Sequence, residues 1–310
     1  MARMTGAPLP AGPLTAGPLT AGIELGGTKS IAVLARGPQI LDRVRVATED
    51  PETVLGGMMA ALDGWQAAGA AIAGLGIASF GPLCLDPALP DFGRLTTTPK
   101  QGWAGTDLLA PFRRFGLPVA LDTDVNGAAL AEGRWGAAQG LSVHAYLTIG
   151  TGIGGGAVVN GRPLHGLMHP EMGHVRPASA PASGFAGICP YHGNCLEGLA
   201  SGPAIAARTG RPAHEIGDDD PVWPMIADEL ATLIANLLLI LSPQRILIGG
   251  GVGSRAVLLP HLRRATARML GGYLAPVTPD ALDRLITAPA LGSDAGPLGA
   301  VALAEMAAAG

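Results

Sequence analysis

The chain has 310 residues, 48% of them hydrophobic and 14% charged, with a formal net charge of −4. That is ample apolar material for one large domain or two compact ones, and it excludes an intrinsically disordered chain. No basic block or stripe is present, so nucleic acid is not an expected partner.

Residues 1–21 repeat AGPLT and are rich in proline and glycine. They lack the continuous apolar core of a signal peptide and are expected to form a disordered tail. GIELGGTKSIAVLAR (22–36) predicts a strand, a glycine turn and a second strand. Residues 52–68 predict a helix, and IAGLGIASF (72–80) a buried strand. LPVALDTD (117–124) is another strand, with a helix expected over 126–138. VHAYLTIG (143–150) and GGAVVNGR (155–162) predict strands around a glycine-rich turn. A long helix over 222–241 leads into RILIGGG (245–251), and helices over 255–270 and 296–309 close the chain. The apolar run 225–241 carries Asp228, Glu229 and Asn236. It reads as a buried helix, and no membrane partner is expected. Alternating strands and helices of this kind predict an α/β fold.

Glycine clusters recur after strands, where α/β folds bind ligands, and they point to a polyphosphate held by backbone amides. GIELGGTKS fails the Walker pattern by one residue, because Thr28 separates Gly27 from Lys29. GTGIGGG (150–156) contains G-x-G-x-x-G, yet AVVNGR after it reads as a strand, where a dinucleotide fingerprint would open a helix. A phosphate-binding hairpin fits both stretches. Gly249, Gly250 and Gly251 allow a flat adenine or ribose to approach the backbone, or merely make a tight strand-to-helix turn.

LDTDVNGAA (121–129) places Asp122, Asp124 and Asn126 where a strand meets a helix. One acid suffices as an N-cap. The other is available to accept a proton from an attacking hydroxyl, and an ordinary Asp is already ionised at neutral pH.

Three cysteines cannot build a disulfide framework, and a reduced, cytoplasmic compartment is expected. Two of them, Cys189 and Cys195, flank His192. With His169 or His174 as the fourth donor, the set suits tetrahedral Zn2+ with no open position, so the site would be structural. Glu171 and Glu197 bracket this cluster, and carboxylates suit sugar hydroxyls.

Taken together, GIELGGTK, SFGPLCLDP (79–87), TTTPKQGWAGTDLL (96–109), LDTDVNGAALAEGRWG, LTIGTGIGGG, HPEMGH, CPYHGNCLEGLASGPAI and ILIGGGV resemble the ROK family of sugar kinases. The likeness runs from residue 22 onward. Glu24, where most of the family carries Asp, and the TPK-x-GW string both resemble the bacterial fructokinase branch. The resemblance implies a two-domain actin-like (ribonuclease H-like) fold with a zinc-clipped loop. Its N-terminal domain would comprise 22–121 plus 295–310. Its C-terminal domain would comprise 122–294, with the zinc loop at 169–198. The domains are expected to close over ATP, Mg2+ and a hexose.

By the same resemblance Asp124 is the catalytic base, and His174, Cys189, His192 and Cys195 bind structural Zn2+. Gly81, Asn126, Glu171, His174 and Glu197 would contact the sugar. Gly26, Gly27, Thr28, Lys29, Gly150, Thr151, Gly152 and Gly154 would hold phosphates, and Gly249, Gly250 and Gly251 the adenosine. The implied reaction is phosphorylation of a hexose, D-fructose to D-fructose 6-phosphate, by a cytoplasmic homodimer. The alternatives are a broader kinase acting on glucose or mannose, and a non-catalytic sugar sensor. A repressor of this family carries a helix-turn-helix before the first phosphate strand, which the Gly/Pro-rich residues 1–21 do not fit.

Overall fold

The computed structural model describes residues 17–177 and 184–310. The expectation of a disordered tail therefore lies, for 1–16, outside the described residues. Its last three residues are strand, because β1 begins at Leu19.

In chain order the first elements are β1 (Leu19–Leu25), β2 (Lys29–Arg36), β3 (Gln39–Ala47), α1 (Pro51–Ala67), β4 (Leu75–Ser79), β5 (Val119–Thr123) and α2 (Asp124–Trp135). Next come β6 (Val143–Ile149), β7 (Ile153–Val159), β8 (Arg162–Pro163), α3 (Leu196–Ala200), α4 (Gly202–Thr209) and α5 (Val222–Ile240). The last are β9 (Arg245–Gly249), α6 (Gly250–Gly253), α7 (Leu258–Leu270), α8 (Pro279–Leu285), β10 (Ile286–Thr287) and α9 (Ala295–Ala309).

The chain divides into two compact units. Unit 1 holds the residues to Ala131, with His165–His169 and Ser293–Gly310; unit 2 holds Glu132–Leu164 and Pro170–Gly292. The division falls inside α2, ten residues later than the 121/122 boundary expected from sequence. The physical reason is visible in the side chains. Gly127, one turn into α2, packs against Gly299 of α9 so closely that a Cβ on Gly299 would sit 2.3 Å from the Gly127 carbonyl carbon. Glu132, two turns in, instead accepts the amides of Ala137 (2.7 Å), Ala290 (3.1 Å) and Leu291 (2.8 Å) in unit 2.

Each unit contains one five-stranded sheet, ordered β3-β2-β1-β4-β5 in unit 1 and β8-β7-β6-β9-β10 in unit 2. In each sheet the second strand of the unit runs antiparallel to both neighbours, and the last two strands run parallel to the first. The same order thus occurs twice, in agreement with the actin-like arrangement expected.

The core of unit 1 lies around β1, β4 and α1. Helix α1 starts where the Asp50 side chain accepts the Thr53 amide at 2.9 Å, with Pro51 pre-setting the first turn. It buries Val54, Leu55, Met58, Leu62 and Trp65. On the other face α9, built mostly from Ala, Gly, Val and Leu, meets β1 at Gly22, β4 at Gly76 and Gly74 just before it, where a Cβ would strike helix backbone. In unit 2, α5 supplies the largest buried face, including Trp223, Ile226, Leu230, Leu233 and Ile234. It is long and apolar enough to cross a membrane, but 67% of its apolar window is buried in this core.

Candidate active site

In unit 1 the β1–β2 turn exposes Gly27, Thr28 and Lys29. Gly26 is demanded by the turn itself: its amide donates to the Lys29 carbonyl at 3.2 Å, and a Cβ there would sit 2.7 Å from that oxygen. Gly27 has open space around it. The hairpin is braced from the segment the sequence singled out as TTTPKQGW. Lys100 Nζ donates to the Gly27 carbonyl at 2.8 Å. The Thr48 amide donates to the Thr28 carbonyl at 3.0 Å, and buried Trp103 donates from Nε1 to the carbonyl of Glu49 at 2.7 Å. Gly81 lies in the turn just after β4.

At the end of β5 the two acids separate by role. Thr123, not either Asp, caps α2: its Oγ1 accepts the Asn126 amide at 3.2 Å. Asp124 is left at the first helical position, where its Oδ1 accepts the amide of Val125 at 2.9 Å. Burial pushes its carboxyl up to about 6. Asp122 is buried, its Oδ1 accepting the Thr123 amide (2.7 Å) and Asn126 Nδ2 (2.8 Å). Glu24, on β1, is raised to about 7, first by burial and then by the charge of Asp124, against the pull of Lys29 and Arg43. The sequence marks Glu24 only as a branch signature; its place beside Asp124 is not legible there.

In unit 2 the β6–β7 turn comprises Gly150, Thr151 and Gly152. The Gly150 amide donates to the Gly152 carbonyl at 2.9 Å, and the Gly150 carbonyl accepts from Gly202 at 2.7 Å. Gly154 is already inside β7, paired with Thr148. Of the third cluster, Gly249 ends β9 and packs under the Tyr146 hydroxyl. Gly250, at φ +84°, would place a Cβ 2.5 Å from the Ile149 carbonyl oxygen. Packing explains these two glycines, and Gly251 is the one with open space.

Of the two histidines the spacing left open, His174 is the one that lies beside the thiols. The ligand atoms of His174, Cys189, His192 and Cys195 all lie within 4.8 Å of one another. Nδ1 of His174 is 3.4 Å from Cys195 Sγ and 3.8 Å from Cys189 Sγ, and Nδ1 of His192 is 3.6 Å from Cys189 Sγ. His169 is elsewhere, buried in unit 1, where its Nε2 accepts the Leu83 amide at 2.9 Å. Burial pushes the Cys195 thiol up to about 11, so this pocket disfavours a bare thiolate and would favour one only beside a cation. Two thiols and two imidazoles so close are a donor set that fits tetrahedral Zn2+.

Glu197 joins this cluster to the hairpin. Its Oε2 accepts the Ile153 amide at 3.0 Å, and its Oε1 lies 4.0 Å from Nε2 of His174. A Cβ on Gly152 would sit 2.6 Å from Glu197 Oε2. Glu171 is exposed one turn before His174, whose amide donates to its carbonyl at 3.1 Å. The structure therefore gathers the expected residues into two groups. Gly26–Lys29, Gly81, Asp124 and Asn126 belong to unit 1, and Gly150–Gly154, Glu171, His174, Glu197, the thiols and Gly249–Gly251 to unit 2.

A model of the ROK family matches residues 20–307. The chain is 44% identical to a fructokinase of Zymomonas mobilis over 291 residues, which is 91% of this chain and 95% of that one. It is 40% identical to a fructokinase of Pediococcus pentosaceus over 287 residues, covering 92% and 97% of the two chains. A solved ROK hexokinase from Thermus thermophilus superposes with a TM-score of 0.72 at 30% identity, over 93% of this chain and 98% of that one. The likeness first read from GIELGGTK and TTTPKQGW thus extends over nearly the whole chain, and this protein belongs to the ROK family.

Proposed function

We propose that this chain is a fructokinase that transfers the γ-phosphoryl group of ATP to O6 of D-fructose, giving D-fructose 6-phosphate and ADP. Identity of 44% and 40% to two fructokinases over nearly the full length supports the reaction. The observation that carries the mechanism is Asp124, relieved of capping by Thr123 and poised with a carboxyl near 6. Asp124 accepts the hydroxyl proton as the sugar oxygen bonds to phosphorus and the bond from phosphorus to the β-phosphate oxygen breaks. Asn126 orients the sugar. Amides of Gly26–Thr28, with Lys29, and those of Gly150–Gly154 would hold phosphate oxygens. Gly251 leaves room for the adenosine.

Mg2+ bound with ATP supplies neutralisation of the β- and γ-phosphate charge. Glu24 fits it, as a carboxylate oxygen donor whose ionisation burial and Asp124 oppose and a cation would restore. His174, Cys189, His192 and Cys195 would hold structural Zn2+, which would fix Glu171, His174 and Glu197 where they take sugar hydroxyls. Homodimerisation and a cytoplasmic setting complete this reading by family likeness.

The second reading is a broader hexose kinase. It is favoured by one observation: the similar solved structures include a protein named as a hexokinase and a glucokinase of Streptomyces griseus (26% identity, TM-score 0.73, 93% of this chain). A coupled ADP-release assay with ATP, Mg2+ and fructose, glucose, mannose and N-acetylmannosamine decides. Fructose leading in kcat/KM supports the fructokinase reading. Another sugar leading moves the assignment to the broader kinase, and no turnover with any sugar removes both in favour of a sensor.

A further inference from the structure

His165 is the residue next to the catalytic segment that no motif announced. With Gly166–His169 it belongs to unit 1. Both ends of this short stretch are fixed there by imidazoles. His169 Nε2 accepts the Leu83 amide at 2.9 Å, and His165 Nε2 lies 3.0 Å from Asp122 Oδ2. Asp122 is 2% exposed, and its two oxygens face three donors: the Thr123 amide and Asn126 Nδ2 on Oδ1, and His165 on Oδ2.

A carboxylate only accepts hydrogen bonds, so the Asn126 amide must turn its NH2 toward Asp122. The 3.4 Å approach of Asn126 Nδ2 to His165 Nε2 is then two donors sharing one carboxylate, not a bond between them. This orientation leaves Asn126 Oδ1 as a buried acceptor, and it has no partner among the described residues. Buried acceptors are rarely left unmet, and one held beside a catalytic base fits a hydroxyl donor brought by the substrate. The Asp122 hydrogen bond also raises the His165 pKa, which strengthens the pair when the ring is charged. The ring is 39% exposed, whereas Asp122 is sealed.

We propose that His165 is a positioning residue for the sugar. Through Asp122 it locks the Asn126 amide so that Oδ1 accepts one substrate hydroxyl, and it thereby sets selectivity for sugars that offer a donor at that place. His165 needs no contact with the reacting atoms for this. The inference rests on the sugar kinase reading above.

The test uses the full chain and four proteins: unmutated, His165→Ala, His165→Gln and Asp122→Asn. Steady-state kinetics are measured with fructose, with its monodeoxy analogues, and with varied ATP. His165→Ala is expected to raise the KM for fructose by about tenfold, the worth of one misaligned hydrogen bond, while the KM for ATP stays within about twofold. His165→Gln, whose Nε2 can donate to Asp122 in the same way, should recover most of that loss. One monodeoxy-fructose should be penalised strongly by the unmutated protein and much less by His165→Ala. Asp122→Asn, equal in size but no longer acceptor-only, should raise the KM for fructose as His165→Ala does, so a poorly folding alanine variant leaves the test intact. An unchanged KM for fructose in His165→Ala, or a loss spread equally over fructose and ATP, overturns the assignment while leaving the kinase reading in place. No turnover by the unmutated chain overturns both.

Discussion

Glu197 accepts the Ile153 amide at 3.0 Å through one carboxylate oxygen and holds the other 4.0 Å from Nε2 of His174. One side chain thereby links the four-donor cluster to the first residue of β7, directly after the second glycine turn. Disorder in the cluster would reach Glu197 and the β6–β7 turn together, because Cys195 and Glu197 are two positions apart on one piece of chain.

The first prediction follows from that link. Cys195→Ser, or removal of metal with a chelator, should lower kcat/KM by more than about tenfold, since outer partners of a site commonly matter at that scale. Zinc content by elemental analysis should fall in parallel. A metal-free sample that retains full turnover would remove the structural role of zinc.

Asp124 gives the second. A general base works ionised, so activity must fall as pH drops through the pKa of the free enzyme. With Asp124 near 6 and Glu24 near 7, the acid limb of kcat/KM should lie at about 6 to 7, well above an ordinary Asp, and it belongs to the pair. Asp124→Asn should fold normally and lose about two to four orders of magnitude in kcat. Turnover that is flat down to about pH 5 in the unmutated protein would contradict the base assignment.

Glu24 provides a stability test. Its folded pKa, about 7, lies above the unfolded value of 4.5. Above about pH 7 the group is ionised in both states, and the folded state bears the burial cost in full. As pH falls from 7 toward 4.5 the folded protein takes up the proton first, and the cost disappears. Glu24→Gln should therefore raise Tm at about pH 8, with the gain shrinking through neutrality and gone by about pH 4.5. A Tm difference independent of pH would show that the carboxyl is not buried at a cost.

Lys100 offers the fourth. Its ammonium holds the Gly27 carbonyl at 2.8 Å and lies 5.9 Å from the Phe80 ring centroid. Lys100→Met, which keeps the stem and removes the donor, should raise the KM for ATP by about tenfold and leave that for fructose within about twofold. The reverse pattern would place Lys100 at the sugar instead.

Much of the fold was legible in the sequence. The strand–glycine–strand stretches at 22–36 and 143–159, the buried strand before Phe80 and the long helix ending at Ile240 all carry local periodicity, and local periodicity is enough to form them. β3 was not assigned, because an edge strand reading QILDRVRVA mixes charge into its alternation and is stabilised by pairing with β2. The repetition of one strand order in both units was expected only through the family resemblance, since pairing between distant strands leaves no mark in either segment alone.

Within the candidate site the residue types and spacing of GIELGGTK, LDTDVNGAA and CPYHGNC pointed to a chemistry, because phosphate cradles, paired acids and thiol–imidazole sets need particular side chains at particular separations. Tertiary structure decided what each was free to do. Thr123 takes the cap and releases Asp124; His174 joins the thiols while His169 goes to Leu83; Glu132, an unremarkable helix residue in the sequence, becomes the buried acceptor of three unit 2 amides. His165 meets Asp122 across 43 positions of chain. Hydrogen bonds and burial depend on which atoms folding brings within about 3 Å, and that distance is set by the packing of the whole unit, not by neighbours in sequence.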